Sequence, residues 1–107
     1  MAELSTTSPD ESRHVVGYFT ATGTSPGWPI TVAKFNFSIW GTFAGTAVLE
    51  RSFDGGAVWI PCSYGNGVAN SFTTPMTLVC EEIETDVLYR VNCTTLSSGL
   101  LNWRLSL

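Results

Sequence analysis

The chain has 107 residues, 44 % of them hydrophobic, 12 % aromatic and 13 % charged, a size that closes one hydrophobic core and is too small for two. Five basic against nine acidic side chains give a net charge of −4, which repels phosphate backbones and excludes the Lys/Arg density that nucleic-acid binding needs. No run approaches the roughly 20 apolar residues of a membrane-spanning helix, and an aromatic share of 12 % beside only 13 % charged residues favours a domain partly covered by something other than water.

Residues 1–13 are rich in Ser, Thr and acidic groups and hold one leucine, Leu4. That composition reads as a flexible N-terminal arm, without the basic start and apolar centre of a signal peptide. A single β domain is expected over residues 14–107. From His14 onward apolar residues recur with period two, in runs bounded by Gly, Pro, Asn, Asp or Ser, with no helical period.

Residues 14–21 are rich in β-formers and read as the first strand, ended by the breaker-rich segment Thr-Gly-Thr-Ser-Pro-Gly. Trp28-Pro29 follows in breaker-rich sequence. The clearest strand is Lys34–Trp40, with Phe35, Phe37 and Ile39 on one face, Lys34, Asn36 and Ser38 on the other, and Trp40 out of phase with the apolar three. Residues 46–53 and 57–60 flank a turn and read as a hairpin, which Pro61 stops at an edge or a bulge. Past the loop Ser-Tyr-Gly-Asn-Gly, residues 77–83 and 87–95 read as strands joined closely enough to be antiparallel neighbours. Val87, Tyr89, Val91 and Cys93 share a face of the second. The last strand, 100–105, sets Leu101, Trp103 and Leu105 against Asn102 and Arg104. Seven to eight short strands imply an all-β fold, an antiparallel β-sandwich or jelly-roll-like barrel.

The turn is the strongest local signal. Asp54 can accept from a nearby backbone N–H, and Gly55 and Gly56 tolerate the positive φ of a tight hairpin. A three-residue loop places Arg51 opposite Trp59, close enough for a guanidinium-over-indole contact, whereas a two-residue loop places Ser52 there; both registers stay open. Ser52, Asp54, Gly56 and Trp59 fit the pattern Ser-x-Asp-x-Gly-x-x-Trp, which resembles the Asp-box hairpin of sialidases and other β-propellers. There the box is a folding element away from catalysis. Here it occurs once, in a chain too short for a set of roughly 40-residue blades, so the resemblance implies a hairpin and no glycosidase.

No catalytic constellation emerges. His14 stands alone, with no second histidine or nearby cysteine, and reads as a solvated or strand-end residue. Glu81, Glu82, Glu84 and Asp86 lack calcium-loop spacing, and neighbouring strand residues face opposite ways, so the group reads as a solvated edge that discourages strand addition. The glycines fit no nucleotide fingerprint. No cofactor, no metal and no enzymatic activity are expected. Cys62, Cys80 and Cys93 are odd in number and lack Cys-x-x-Cys spacing, so they read as reduced thiols, and the sequons at Asn36 and Asn92 as accidental. Trp28, Pro29 and Trp40, with Leu4 of the arm, are the candidate interface residues, because aromatic side chains anchor contacts on a surface poor in charge.

The run Phe-Ser-Ile-Trp-Gly-Thr-Phe-Ala-Gly-Thr-Ala-Val-Leu-Glu-Arg-Ser-Phe-Asp-Gly-Gly-Ala-Val-Trp, residues 37–59, resembles small β-rich proteins encoded among bacteriophage and prophage virion genes. Residues 87–106 resemble the ends of the same proteins, and together the two segments cover about two fifths of the chain. The resemblance implies a virion structural protein, assembled in the host cytoplasm and present in many copies against the major capsid protein or other virion proteins. A capsid decoration or cement protein is the first expectation. A tail, neck or fibre-attachment component is the alternative within that class. Two further classes are a carbohydrate-binding β-sandwich meeting host-surface glycan and an immunoglobulin-like adhesion domain, the latter suggested by Asp86-x-x-Tyr89-x-x-x-Cys93.

Overall fold

The computed structural model describes residues 14–30, 33–62, 71–84 and 86–107. The arm at 1–13, with Leu4, and the loop expected at 63–67 lie outside the described residues. Among the described residues ten strands follow in chain order: β1 (His14–Phe19), β2 (Gly23–Thr24), β3 (Trp28–Ile30), β4 (Lys34–Trp40), β5 (Phe43–Ser52), β6 (Ile60–Pro61), β7 (Ser71–Phe72), β8 (Met76–Glu81), β9 (Val87–Gly99) and β10 (Leu101–Ser106). They form two antiparallel sheets packed face to face. Sheet A runs β1-β10-β4-β8, and sheet B runs β2-β9-β5-β6, with β3 beside β2 along β9 and β7 beside β6 along β5.

The alternation expected from the sequence sets the core. Phe35, Phe37 and Ile39 of β4, Val87, Tyr89, Val91 and Cys93 of β9, and Leu101, Trp103 and Leu105 of β10 are all buried in one cluster. Ring pairs cross between the sheets: Phe35 meets Tyr89 edge-on at 4.6 Å, and Phe37 meets Phe72 at 5.8 Å. Each such geometry adds about 0.5–1.5 kcal/mol beyond the area it buries.

Several expectations are corrected. Residues 57–60 do not run as a strand, because pairing resumes only at Ile60–Pro61, with Arg51 opposite Ile60 and Glu50 opposite Pro61. That pairing keeps the register of the two-residue loop, with Ser52 in line with Trp59, and excludes the three-residue one, but the ladder stops at Arg51–Ile60 and the residues between open into a wider loop. The reason is local: the Ser52 and Asp54 side chains take backbone N–H groups of the loop, those of Gly56 and Val58, in place of cross-strand carbonyls. The strands at 77–83 and 87–95 are not neighbours either. β8 lies on β4 in sheet A, while β9 lies between β5 and the β2–β3 edge in sheet B. The chain crosses from one sheet to the other at Glu82, whose N–H donates to Ala33 O at 2.7 Å.

The breaker-rich segment after β1 holds a short strand that composition does not announce. Between β2 and β3, Ser25 N donates to Val91 O at 2.9 Å, and Ser25 Oγ accepts from Val91 N at 2.8 Å. One buried hydroxyl thus completes the ladder where the strand is interrupted. At the opposite end the chain crosses sheets twice, after β4 and after β9, and Leu100 N donates to Thr42 O at 3.0 Å to join the two crossings.

Candidate functional site

The loop after β5 is organised by two side chains. The Ser52 hydroxyl donates to Asp54 Oδ1 at 2.8 Å and accepts from Gly56 N at 2.9 Å. Asp54 Oδ1 also accepts from Val58 N at 2.9 Å. These bonds, with Val58 N–H first and the Ser52 hydroxyl next, hold the Asp54 carboxyl below its ordinary pKa. Gly55 and Gly56 adopt φ of 76° and 100°, values that an L side chain rarely takes. The box-like pattern thus makes a wide, self-bonded loop spanning 53–59.

Trp59 does not face Arg51. It lies under the Arg90 guanidinium, 4.4 Å from the ring centroid, while Arg51 sits 4.8 Å over Phe53. Arg90 Nε donates to Glu50 Oε1 at 2.8 Å, and Asn92 Nδ2 donates to Glu50 Oε2 at 3.1 Å. Trp59, Arg90 and Glu50 therefore form a stack on the outer face of sheet B, the guanidinium held between a ring and a carboxylate.

The acidic group after β8 is not a uniformly solvated edge. Glu81 and Glu84 are exposed, but Glu82 is buried. Its Oε1 accepts from Arg51 Nη1 at 2.8 Å and from the Tyr89 hydroxyl at 2.8 Å, and its Oε2 accepts from Glu84 N at 3.0 Å. Burial pushes this carboxyl upward, yet the bonds from Glu84 N–H, Tyr89 and Arg51 outweigh it and hold the pKa below the ordinary value. Burial, followed by the bond to Glu82, raises the Tyr89 hydroxyl well above its usual range. Position 82 keeps the parity of buried Cys80, and an acid in phase with a core residue was the available signal for this clamp.

All three cysteines are buried. The candidate interface residues scatter. Trp28 is half-buried and packs against the core cluster, Pro29 beside it is exposed, and Trp40 is 43 % exposed. Trp40 belongs to a row that sequence reasoning missed. In sheet A, Tyr18 pairs with Asn102 and Asn102 pairs with Trp40, so the three stand abreast on the outward face of β1, β10 and β4. Tyr18 is 63 % exposed, and Asn102 Nδ2 donates to Trp40 O at 3.2 Å.

A second apolar group gathers at the end of the sandwich where Glu82 meets Arg51. Phe53 lies against Arg51, Ile60 lies across from it, and Ile83 follows Glu82 in the chain. Phe53, Val58, Ile60 and Ile83 are all exposed, Ile83 at 92 %. Between the β1 and β2 edges there is also an open cleft of about 410 Å³ lined by Gly17, Tyr18, Phe19, Pro26 and Trp103. No protein-family model matches the chain, and no curated protein or solved structure is significantly similar to it.

Proposed function

We propose that this chain is a bacteriophage virion structural protein, a capsid decoration or cement protein that stabilises the head through many repeated contacts. The virion setting comes from the resemblance of residues 37–59 and 87–106. The observation that carries the mode of action is the exposed apolar set at the Arg51–Glu82 pair, which closes at 2.8 Å: Phe53 lies against Arg51, Ile60 pairs with it, and Ile83, next to Glu82 in the chain, is 92 % exposed.

A cement protein must seat rigidly, because a loop that orders only on docking loses part of its binding energy to that ordering. Here Phe53 sits on a loop fixed by Ser52 and Asp54, Ile60 is held in β6, and Ile83 follows the buried carboxylate of the Arg51–Glu82 clamp. Burying such side chains gives roughly 25 cal/mol per Å². One site is weak, but repetition over a shell multiplies its effect. The partner in this reading is the major capsid protein or a neighbouring virion protein.

The test is made on purified particles of the virus that encodes the chain. Mass spectrometry should find it there, and particles lacking it should lose resistance to heat and chelator. Added back, the wild-type chain should restore that resistance, while Phe53→Asp combined with Ile83→Asp should not, although both residues are exposed and the fold should persist. A chain missing from particles, or a deletion without effect on their resistance, overturns the cement reading. Labelled chain at one vertex or along the tail would instead place it among tail, neck or fibre-attachment components.

A further inference from the structure

We propose that the outer face of sheet A is a glycan platform, on which a polysaccharide segment lies across β1, β10 and β4 with sugar rings on Tyr18 and Trp40 and hydroxyl groups on Asn102. The inference concerns a different surface from the apolar end and holds wherever the domain is mounted.

The row follows from register. Tyr18, Asn102 and Trp40 occupy one line across three paired strands, so the two aromatic residues are separated by two strand spacings, about 10 Å. Both are well exposed. A sugar ring is amphipathic: its C–H face packs on an aromatic ring, while its edge carries hydroxyls that need partners. The row offers the same alternation of ring, amide and ring.

Asn102 is held for this role. Its amide N–H donates to Trp40 O at 3.2 Å, and its carbonyl oxygen has no partner among the described residues. The missing side chain at Gly41 makes the arrangement possible, since a Cβ there would stand 2.8 Å from Asn102 Nδ2. The next row on the same face sets Arg104 between Val16 and Ser38, about 7 Å along the strand. Arg104 is exposed and makes no ion pair among the described residues.

A second protein surface fits this face less well. Ser38 and Thr77, bonded to each other at 2.8 Å, and exposed Asn36 fill the neighbouring positions with polar groups. A dry contact would strand the Asn36 amide and the second hydroxyl donor of the Ser38–Thr77 pair, at a cost for each. A hydroxyl-rich ligand supplies donors and acceptors to all of them. No carboxylate enters these rows until Glu81, at the far edge opposite Lys34.

The test is affinity electrophoresis of the full chain through gels cast with laminarin, xylan, dextran or polygalacturonate, against a polymer-free gel. At least one polymer should retard the wild-type chain. Trp40→Ala and Tyr18→Ala should each weaken that retardation at least fivefold, Trp40→Phe should retain most of it, and Val79→Ala, at the far row of the face, should leave it unchanged. Arg104→Gln should weaken retardation by polygalacturonate alone, which separates acidic from neutral glycan. Unchanged melting temperatures confirm that these exposed variants fold. Mobility equal in every gel, or retardation that survives Trp40→Ala, overturns the proposal. So does concentration-dependent self-association abolished by Trp40→Ala, which would assign the row to a second copy of the chain.

Discussion

Glu82 and Arg51 meet at 2.8 Å with very different surroundings: the carboxylate side chain is fully enclosed, while the guanidinium side chain is 36 % exposed. Glu82 leaves the end of β8 in sheet A, and Arg51 lies on β5 in sheet B, so the pair ties the sheets together where no ladder can. The asymmetry decides which partner is missed more. Arg51→Met leaves a buried carboxylate short of its cation and should cost about 3 kcal/mol, the lower end for breaking a buried pair. Glu82→Gln keeps the shape and frees a cation that reaches water, so it should cost about 1–2 kcal/mol. Urea unfolding measures both, and the reverse order would show that Arg51 is the more deeply committed partner.

The same clamp makes stability depend on pH at both extremes. Bonds to Glu82 outweigh its burial and lower its pKa. Its contribution is therefore present above the unfolded carboxyl value of about 4.3 and is lost as pH falls through the lower folded value. Tyr89 is shifted the other way, first by burial and then by its bond to Glu82. Its contribution is complete below the unfolded value of about 10 and is lost as pH rises through the higher folded value. Thermal melts across pH should give a dome. Glu82→Gln should flatten the acid limb, Tyr89→Phe the alkaline limb, and limbs unmoved by these changes would place the titrating groups elsewhere.

What the sequence made legible follows from how far each signal reaches. Alternation at Phe35, Phe37 and Ile39, or at Val87, Tyr89, Val91 and Cys93, is a property of one strand, and the structure buries these residues as expected. Sheet membership is not local. The spacing between β8 and β9 reads as a hairpin, yet the chain crosses sheets there, with Glu82 N–H on Ala33 O just before β4 and its carboxylate on Arg51 and Tyr89 of sheet B. The row Tyr18–Asn102–Trp40 joins strands from the start, middle and end of the chain, and only the pairing of β1 and β4 with β10 assembles it. Trp40 was marked by its phase alone. The hairpin at residues 52–59 is legible and its strands pair in one of the two open registers, that of the two-residue loop, but the wide loop is not, because turn propensity does not report that Ser52 and Asp54 bond the loop's own backbone.

That loop supplies a third expectation. Ser52 is fully buried and makes one bond as donor and another as acceptor, so Ser52→Ala leaves Gly56 N–H without its acceptor. A loss of about 1–3 kcal/mol is expected, with faster proteolytic cleavage within residues 53–59. Asp54→Ala removes the bond to Val58 N–H in an exposed segment, where water can replace it, so the smaller loss is expected there. Equal losses in urea unfolding would mean that the loop is held by Asp54 as much as by its buried hydroxyl.

Across the sandwich, Gly17 tests how closely the core is fitted. It lies opposite Trp103 on β10, and a Cβ at position 17 would stand 2.7 Å from the indole Cζ2, closer than carbon atoms approach. Gly17→Ala must therefore displace the ring or bend the edge strand β1, at a cost of about 1–3 kcal/mol. The ring has somewhere to go, because Trp103 lines the open cleft beside β1 and β2. Rotation into it would wet an indole that is 4 % exposed, so the variant should show red-shifted tryptophan emission as well as a lower melting temperature. Trp103→Leu in the Gly17→Ala background should restore part of the stability, since the smaller side chain removes the clash. If the double variant is no more stable than Gly17→Ala alone, the glycine is required by the backbone of β1 rather than by the indole laid across it.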